Sequence, residues 1–343
     1  MKPFAYVAPG DVVEAVATVA AEPGAVFLAG GTNLVDHLKL GIVAPEVVVD
    51  VRTLTSREIT DTDEGGLRIG AAVTNSELAA DRRVCSRWPV LAQALLAGAS
   101  GQLRNLATTG GNPLQRTRCV YFQDVTTPCN KREPGSGCSA IGGYTRYSAI
   151  LGVGSLDRSD PRACIATHPS DMAVALTALD ARVRVLGPSA ERTIPFGELH
   201  RLPGDRPDLD TVLEHGELIT VIDLPPLADT ARSAYRKVRD RASYAFALVS
   251  VAVVVELDAN GVFRDVRIAF GGVAHKPWRA IRAEEALLGQ QASIAAFRAA
   301  AEAELAAAVA QPGLAGGNGF KIPLLTRTLV ATLRDLAAPD AAR

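Results

Sequence analysis

Aromatic residues are scarce, at 5% of the chain, and neither sign of charge dominates: 36 Lys and Arg face 37 Asp and Glu. The near-balance excludes a nucleic-acid or anionic-membrane surface built on massed positive charge. With so few rings, the core must be packed mainly from Ala, Val and Leu. Long apolar runs are also missing. The best stretch, Ala245 to Leu257, is interrupted by Ser250 and Glu256, falls short of the roughly 20 residues a membrane span needs, and reads as a buried strand. Met1-Lys2-Pro3-Phe4 lacks the basic and apolar succession of a secretory signal. The expected location is cytoplasmic, or periplasmic only if a partner carries the export signal. Cysteine is sparse too. Five are present, an odd number unsuited to a secreted disulfide framework.

What is present alternates between strand and helix patterns. Asp11 with Glu14 marks a helix start whose apolar face is Val12, Val13, Val16 and Val19. Strands are expected at 25–29, 47–51 and 67–73. Helices are expected over 33–39, after a cap at Asn75 or Ser76, and over 88–99. From Leu114 to Thr167 periodicity disappears, and a structureless run of that length inside a domain calls for something to order it. Order resumes with Ser170 capping a helix over 171–180, a hairpin at 182–186 and 192–196, and a strand at 217–224 closed by Pro225-Pro226. A boundary near 227–232 divides domains at 1–228 and 229–343. The second reads as an antiparallel sheet with helices on one side, its strands 246–257 and 262–270 joined at Asn260-Gly261. The last long helix pattern is the alanine-rich 292–310.

Two glycine turns carry chemistry. Gly30-Gly31-Thr32-Asn33 links a strand to a helix, and Thr108-Thr109-Gly110-Gly111-Asn112 repeats the type. Glycine lets backbone N–H groups approach an anion, and a helix start adds partial positive charge. Neither turn has the spacing of a dinucleotide fingerprint or a P-loop. Either is compatible with an ordinary tight turn; together they fit a pyrophosphate held between two loops.

Cys119, Cys129, Cys138 and Cys164 are spaced C-x9-C-x8-C-x25-C inside the aperiodic stretch. Thiolates suit zinc or iron–sulfur centres, and free thiols remain a third reading. The missing C-x2–4-C pair sits poorly with zinc, whereas separated single cysteines suit a cuboidal cluster. Lys131, Arg132 and Arg118 are available to offset a cluster's negative charge. Cys85, beside Trp88 and Pro89, reads as a small core residue on a helix.

An ordered series of motifs resembles the FAD-binding subunits of the xanthine dehydrogenase family. It comprises Phe27 to Leu34, Thr108 to Asn112, His168-Pro169-Ser170-Asp171, Gly216-Glu217-Leu218-Ile219, Tyr235-Arg236-Lys237-Val238 and Gly271-Gly272-Val273-Ala274. The insert, with its Pro128 to Cys138 stretch, is similar to the flavin subunit of bacterial molybdenum aldehyde oxidoreductases. The resemblance implies an α+β chain of two domains, an FAD domain of the vanillyl-alcohol-oxidase type and a smaller α/β domain with an antiparallel sheet.

It further implies FAD and a 4Fe–4S cluster held by Cys119, Cys129, Cys138 and Cys164. Cofactor-binding positions carried over are Phe27, Leu28, Ala29, Gly30, Gly31, Thr32, Asn33, Leu34, Thr108, Gly111 and Asn112. The first loop and Thr108 are expected to hold the pyrophosphate. Leu114 and Ile219 are expected to flank the isoalloxazine ring, Asp171 to hydrogen-bond its polar part and Lys237 to lie near its edge. The implied partners are a large molybdenum-cofactor subunit and a small subunit with 2Fe–2S clusters, in a heterotrimer that passes electrons through FAD to an external acceptor. Related alternatives are a subunit acting with aromatic or heterocyclic substrates, including hydroxybenzoyl-CoA reductases, and a free-standing FAD oxidase. A zinc-stapled interaction module is the alternative outside enzymes.

Overall fold

In the computed structural model, which describes residues 1–338, three sheets are arranged along the chain. Residues 339–343, the end of the expected second domain, lie outside the described residues. Strands β1 (Ala5–Val7), β2 (Ala25–Leu28) and β3 (Val47–Asp50) form a parallel sheet in the order β1-β3-β2. The helix Val12–Ala21 covers it, with Asp11 accepting from the Val13 and Glu14 N–H groups. Its buried face is Ala15, Val16 and Val19, whereas Val13 is 66% exposed. At 100° per residue Val13 turns off the stripe that Val16 and Val19 define.

A five-stranded antiparallel sheet follows, ordered β4-β5-β8-β6-β7. Its members are β4 (Ile59–Asp61), β5 (Leu67–Gly70), β6 (Arg182–Leu186), β7 (Glu191–Pro195) and β8 (Leu218–Leu224). The sequence pattern missed the short β1 and β4, and β5 ends at Gly70 rather than Val73. A Cβ at Gly70 would stand 2.2 Å from the Ser56 carbonyl oxygen, so the backbone crosses there too closely for a side chain. The next helix, Asn75–Ala80, is capped by Thr74 with Glu77 closing a capping box, one residue before the expected cap. Cys85 is on a helix, Arg82–Arg87, but exposed, its thiol donating to the Ala79 carbonyl. It is not a core residue.

The third sheet is antiparallel, ordered β12-β11-β10-β9, from β9 (Arg232–Val238), β10 (Val249–Leu257), β11 (Phe263–Gly271) and β12 (Trp278–Arg279). Strand β10 is buried on both faces. Val249, Val251, Val253 and Val255 pack with the helices Ile281–Leu287, Ile294–Leu305 and Lys321–Ala337. Ala252 and Val254 face the other way, into the core containing the helices Pro89–Ala97 and Asp171–Ala178. The period-two alternation of a strand thus serves two cores at once. The helices of the C-terminal part do lie on one side of its sheet, because those of the N-terminal part occupy the other. The alanine-rich helix is shorter than expected, beginning after its Ser293 cap and ending at Leu305.

The aperiodic segment contains one regular element of its own beyond the turn at Asn112–Leu114, the single-turn helix Val120–Gln123. Its far end is anchored: the Ile150 and Leu151 N–H groups both donate to the Val273 carbonyl. Beneath it Lys321 is wholly buried, its ammonium donating to the Ser148 and Gly272 carbonyls at 2.8 Å each. Burial, with Arg146 nearby, pulls this lysine from 10.5 to about 7. Since the folded chain holds the proton less tightly than the unfolded one, the Lys321 contribution is fully present above about 10.5 and is lost as pH falls to about 7. Unfolding stability is therefore expected to rise across that window by up to about 1.4 kcal/mol per pH unit from this group. Denaturant titrations over that range should show the slope flattening in Lys321→Met; an unchanged slope would remove Lys321 as its source.

Candidate functional site

The first glycine turn follows β2. Gly31 has φ +71°, a conformation costly for any other residue, and it leads into the helix Leu34–Leu40. Gly30 is needed for a different reason: a Cβ there would lie 2.0 Å from the Leu106 carbonyl oxygen. The first turn therefore rests directly on the chain entering the second. In that second turn Thr108 Oγ1 accepts from the Gly111 N–H at 3.1 Å, and the Gly110 N–H donates to the Ala71 carbonyl. Asn112 accepts from the Ser170 hydroxyl at 2.6 Å, which brings the cap of the helix Asp171–Ala178 to the same place. Asn33 accepts from the Arg116 N–H at 2.8 Å, fixing the start of the insert against the first turn.

These elements border a cleft of about 1070 Å³. Phe27, Ala29, Gly30, Gly31, Thr32, Asn33, Leu34, Thr108, Gly111, Asn112, Leu114, Asp171, Ile219 and Lys237 all line it. Leu28 does not line it; its side chain packs below the turn, against the space beside Gly31. Leu114 is 39% exposed and Ile219 buried.

At the cleft floor Lys237 and Asp171 form an ion pair of 2.7 Å, with their side chains only 4% and 9% exposed. A surface pair is thereby excluded. Tyr235 donates its hydroxyl to the other Asp171 oxygen, and burial together with that carboxylate keeps the phenol protonated far above its ordinary range. Lys237 also donates to the Ala97 carbonyl at 3.2 Å, at the C-terminal end of the helix Pro89–Ala97, where a cation is favoured. Tyr235 stood in the Tyr235 to Val238 motif without a role of its own, although its place two residues before Lys237 on one strand puts both on one face.

The four insert cysteines, all reduced, line one small cavity. Burial pushes the Cys119 thiol up to about 11 and that of Cys164 up to about 12, and raises Cys138 as well. Backbone N–H groups oppose this: Tyr121 and Phe122 donate to Cys119, Ala140, Ile141 and Ile165 to Cys138, and Ala166 to Cys164. Such donors stabilise sulfur carrying negative charge. Among the described residues no three His, Cys, Asp or Glu side chains converge as they do around one metal ion.

Of the expected counter-cations, Lys131 lies closest to this role, being buried and lowering the Cys164 thiol. It also pairs with Asp210 at 2.5 Å, as Arg116 does at 2.6 Å. Burial alone would raise Asp210, but those two cations hold it well below the carboxylate range. Nothing in the spacing announced Asp210, which is 79 residues from Lys131. Arg132 instead staples the loop, donating to the Tyr121, Phe122 and Thr127 carbonyls. His168 belongs to the cleft wall, not the cysteine cavity, with its ring 4.4 Å from that of His200.

Comparison with known proteins accords with this arrangement. The family described as FAD binding domain in molybdopterin dehydrogenase matches residues 2–227, and the CO dehydrogenase flavoprotein C-terminal domain matches 233–333. The chain is 49% identical over 339 residues to the aldehyde oxidoreductase FAD-binding subunit PaoB of Escherichia coli, covering 98% of this chain and 99% of that protein. It is 27% identical over 288 residues to the glyceraldehyde dehydrogenase medium chain of Sulfolobus acidocaldarius, covering 84% and 82% respectively. Among solved structures, CO dehydrogenase from Hydrogenophaga pseudoflava matches with a TM-score of 0.75 and 26% identity over 98% of both chains. The expected α+β fold, with its FAD-binding part and C-terminal antiparallel sheet, is the one observed.

Two sets of variants test the cleft. Gly30→Ala should lose FAD and most of its stability, because neither the new Cβ nor the Leu106 carbonyl has room to move. Gly31→Ala meets side chains only, at 3.3 Å, and should cost about 1–2 kcal/mol through its left-handed backbone while keeping some FAD. Equal FAD content in the two variants, read by absorbance, would contradict this division. Lys237→Met should cost about 3–5 kcal/mol by leaving Asp171 buried without its cation. Adding Asp171→Leu should restore part of that stability without restoring FAD, and denaturant midpoints beside flavin content decide the matter.

Proposed function

The chain belongs to the FAD-binding subunits of molybdopterin-dependent dehydrogenases, and we propose that it is the flavin- and 4Fe–4S-carrying electron-transfer subunit of an aldehyde oxidoreductase. The observation that carries the reading is the pairing of two sites in one chain: a cleft bordered by two interlocked glycine turns, and a cavity ringed by four reduced cysteines, three of which, Cys119, Cys138 and Cys164, accept backbone N–H bonds. The 49% identity to an aldehyde oxidoreductase FAD-binding subunit supports the substrate class.

In this reading the chain has no chemistry of its own to perform on the aldehyde. FAD supplies the ability to take up and release electrons singly or in pairs, and the protein positions it. The Phe27 to Leu34 turn and Thr108 to Asn112 present N–H groups to the pyrophosphate. Leu114 and Ile219 hold the ring between apolar surfaces. Asp171 and Lys237 meet its polar edge, kept in place by Tyr235. Cys119, Cys129, Cys138 and Cys164 hold the cluster. The partners are a large molybdenum-cofactor subunit and a small 2Fe–2S subunit, with an external acceptor receiving the electrons. Residues 1–228 and 229–343 act as the two domains. Among the described residues no helix is long and apolar enough to cross a membrane. The proposed location of the complex is the cytoplasm, or the periplasm only if a partner bears the export signal.

Iron, acid-labile sulfide and zinc measured on anaerobically purified protein test this function. Ser replacements at Cys119, Cys129, Cys138 and Cys164 should each reduce bound iron to a minor fraction of wild type. Cys85→Ser, at an exposed position outside the insert, should leave iron and colour intact. Stoichiometric zinc without sulfide in the wild type would refute the cluster, and full iron in any one of the four variants would remove that cysteine from the ligand set.

A further inference from the structure

The two sites share a wall. Cys119 and Ala166 line both the cysteine cavity and the large cleft, and among the described residues no other lines both. Ala166 also donates its N–H to Cys164, so the wall is tied to a second cysteine. Immediately before Cys119, Arg118 projects into the cleft. Its guanidinium donates to the Arg116 carbonyl and lies 4.9 Å from the centre of the Phe246 ring, which the β9–β10 connection brings over from the C-terminal part. Among the described residues no carboxylate forms an ion pair with Arg118, and Asp36 acts on it only at longer range. The cations nearest the wall on its other sides are matched, Lys237 by Asp171, and Arg116 and Lys131 by Asp210, while Arg104 and Arg241 of the same cleft are held by the Gly98 and Tyr244 carbonyls. Arg118, next in the chain to Cys119, is thus a positive charge without an ion-pair partner among the described residues, directly beside the thin wall between the two sites.

We propose that the Cys119–Ala166 wall is the electron junction between flavin and cluster, and that Arg118 is a positioning residue whose fixed charge sets the potentials on its two sides. The inference rests on the flavin-and-cluster reading above. Each crossing oxidises one centre and reduces the other by one electron, and no bond forms or breaks at the wall. A positive charge stabilises an added electron on either side of it, and does so more strongly where protein rather than water fills the space. Stacking on Phe246 holds the guanidinium in place, which leaves its planar face engaged and its edge free of any anion.

The test is a potentiometric titration of the complex purified with its partner subunits, following the flavin by visible absorbance and the reduced cluster by electron paramagnetic resonance. Arg118→Met should lower both midpoint potentials while FAD, iron and sulfide contents stay at wild-type values, and Arg118→Lys should restore most of the shift. Unmoved potentials with both centres bound would overturn the role of Arg118. A shift confined to one centre would overturn the shared wall. Should Arg118→Met lose its flavin, Phe246→Leu frees the guanidinium at an exposed position and should lower both potentials less; unmoved values there overturn the proposal equally. Absence of iron and sulfide from the wild type would overturn the cluster reading itself, a result distinguishable before any variant is made.

Discussion

Asp171 and Lys237 come from opposite ends of the architecture and meet at 2.7 Å under the cleft, Asp171 from the first turn of a helix and Lys237 from β9. Both side chains are almost wholly removed from water, and both are fully partnered, Asp171 by Tyr235 and Lys237 by the Ala97 carbonyl. A pair in such a place contributes little net stability over apolar residues of equal volume, since desolvation offsets the attraction. What it enforces is registry. The helices 89–97 and 171–178 pack into the core that also receives Ala252 and Val254 from β10, and the apolar contact alone would tolerate sliding. The ion pair does not tolerate it, so the distance between the two glycine turns on one side of the cleft and β9 on the other is set by a charge contact.

The insert solves a different problem. A stretch with so little regular structure buries many backbone groups, and these need partners. Several find them in sulfur, others in the Asn130 side chain, which takes the Gly137 N–H and donates to the Asp160 and Ala163 carbonyls. The loop is therefore shaped around its cysteines as acceptors, and the protonated thiols that burial favours are at odds with those donors. The conflict disappears when the sulfurs carry negative charge, as they do on a metal centre.

Much of this was legible in advance where the signal was local. The valine run of β10, the Asn260-Gly261 hairpin, the Ser170 cap and the two glycine turns all declare themselves within a few residues. Thr74 rather than Asn75 as a cap was also readable, because only Thr74 has Glu three residues later. The division of labour between Gly30 and Gly31 was not: one is demanded by the Leu106 carbonyl, 76 residues on, the other by its own φ. The Asp210 contacts with Arg116 and Lys131, the exposure of Cys85 and the packing of Arg118 on Phe246 share that character. Each depends on chain segments brought together by the fold, with no trace in the spacing.

The anchoring of the insert by Lys321 and Asn318 has a temporal side. Both residues clamp the Ser148 carbonyl, Lys321 at 2.8 Å and Asn318 at 3.0 Å. On a ribosome adding about 5–20 residues per second, the interval between Cys164 and Asn318 corresponds to roughly ten to thirty seconds. All four cysteines are therefore synthesised well before the two residues that clasp the Ser148 carbonyl between Cys138 and Cys164. The far-apart origin of these partners thus makes the Ser148 clasp one of the last contacts of the insert that synthesis permits.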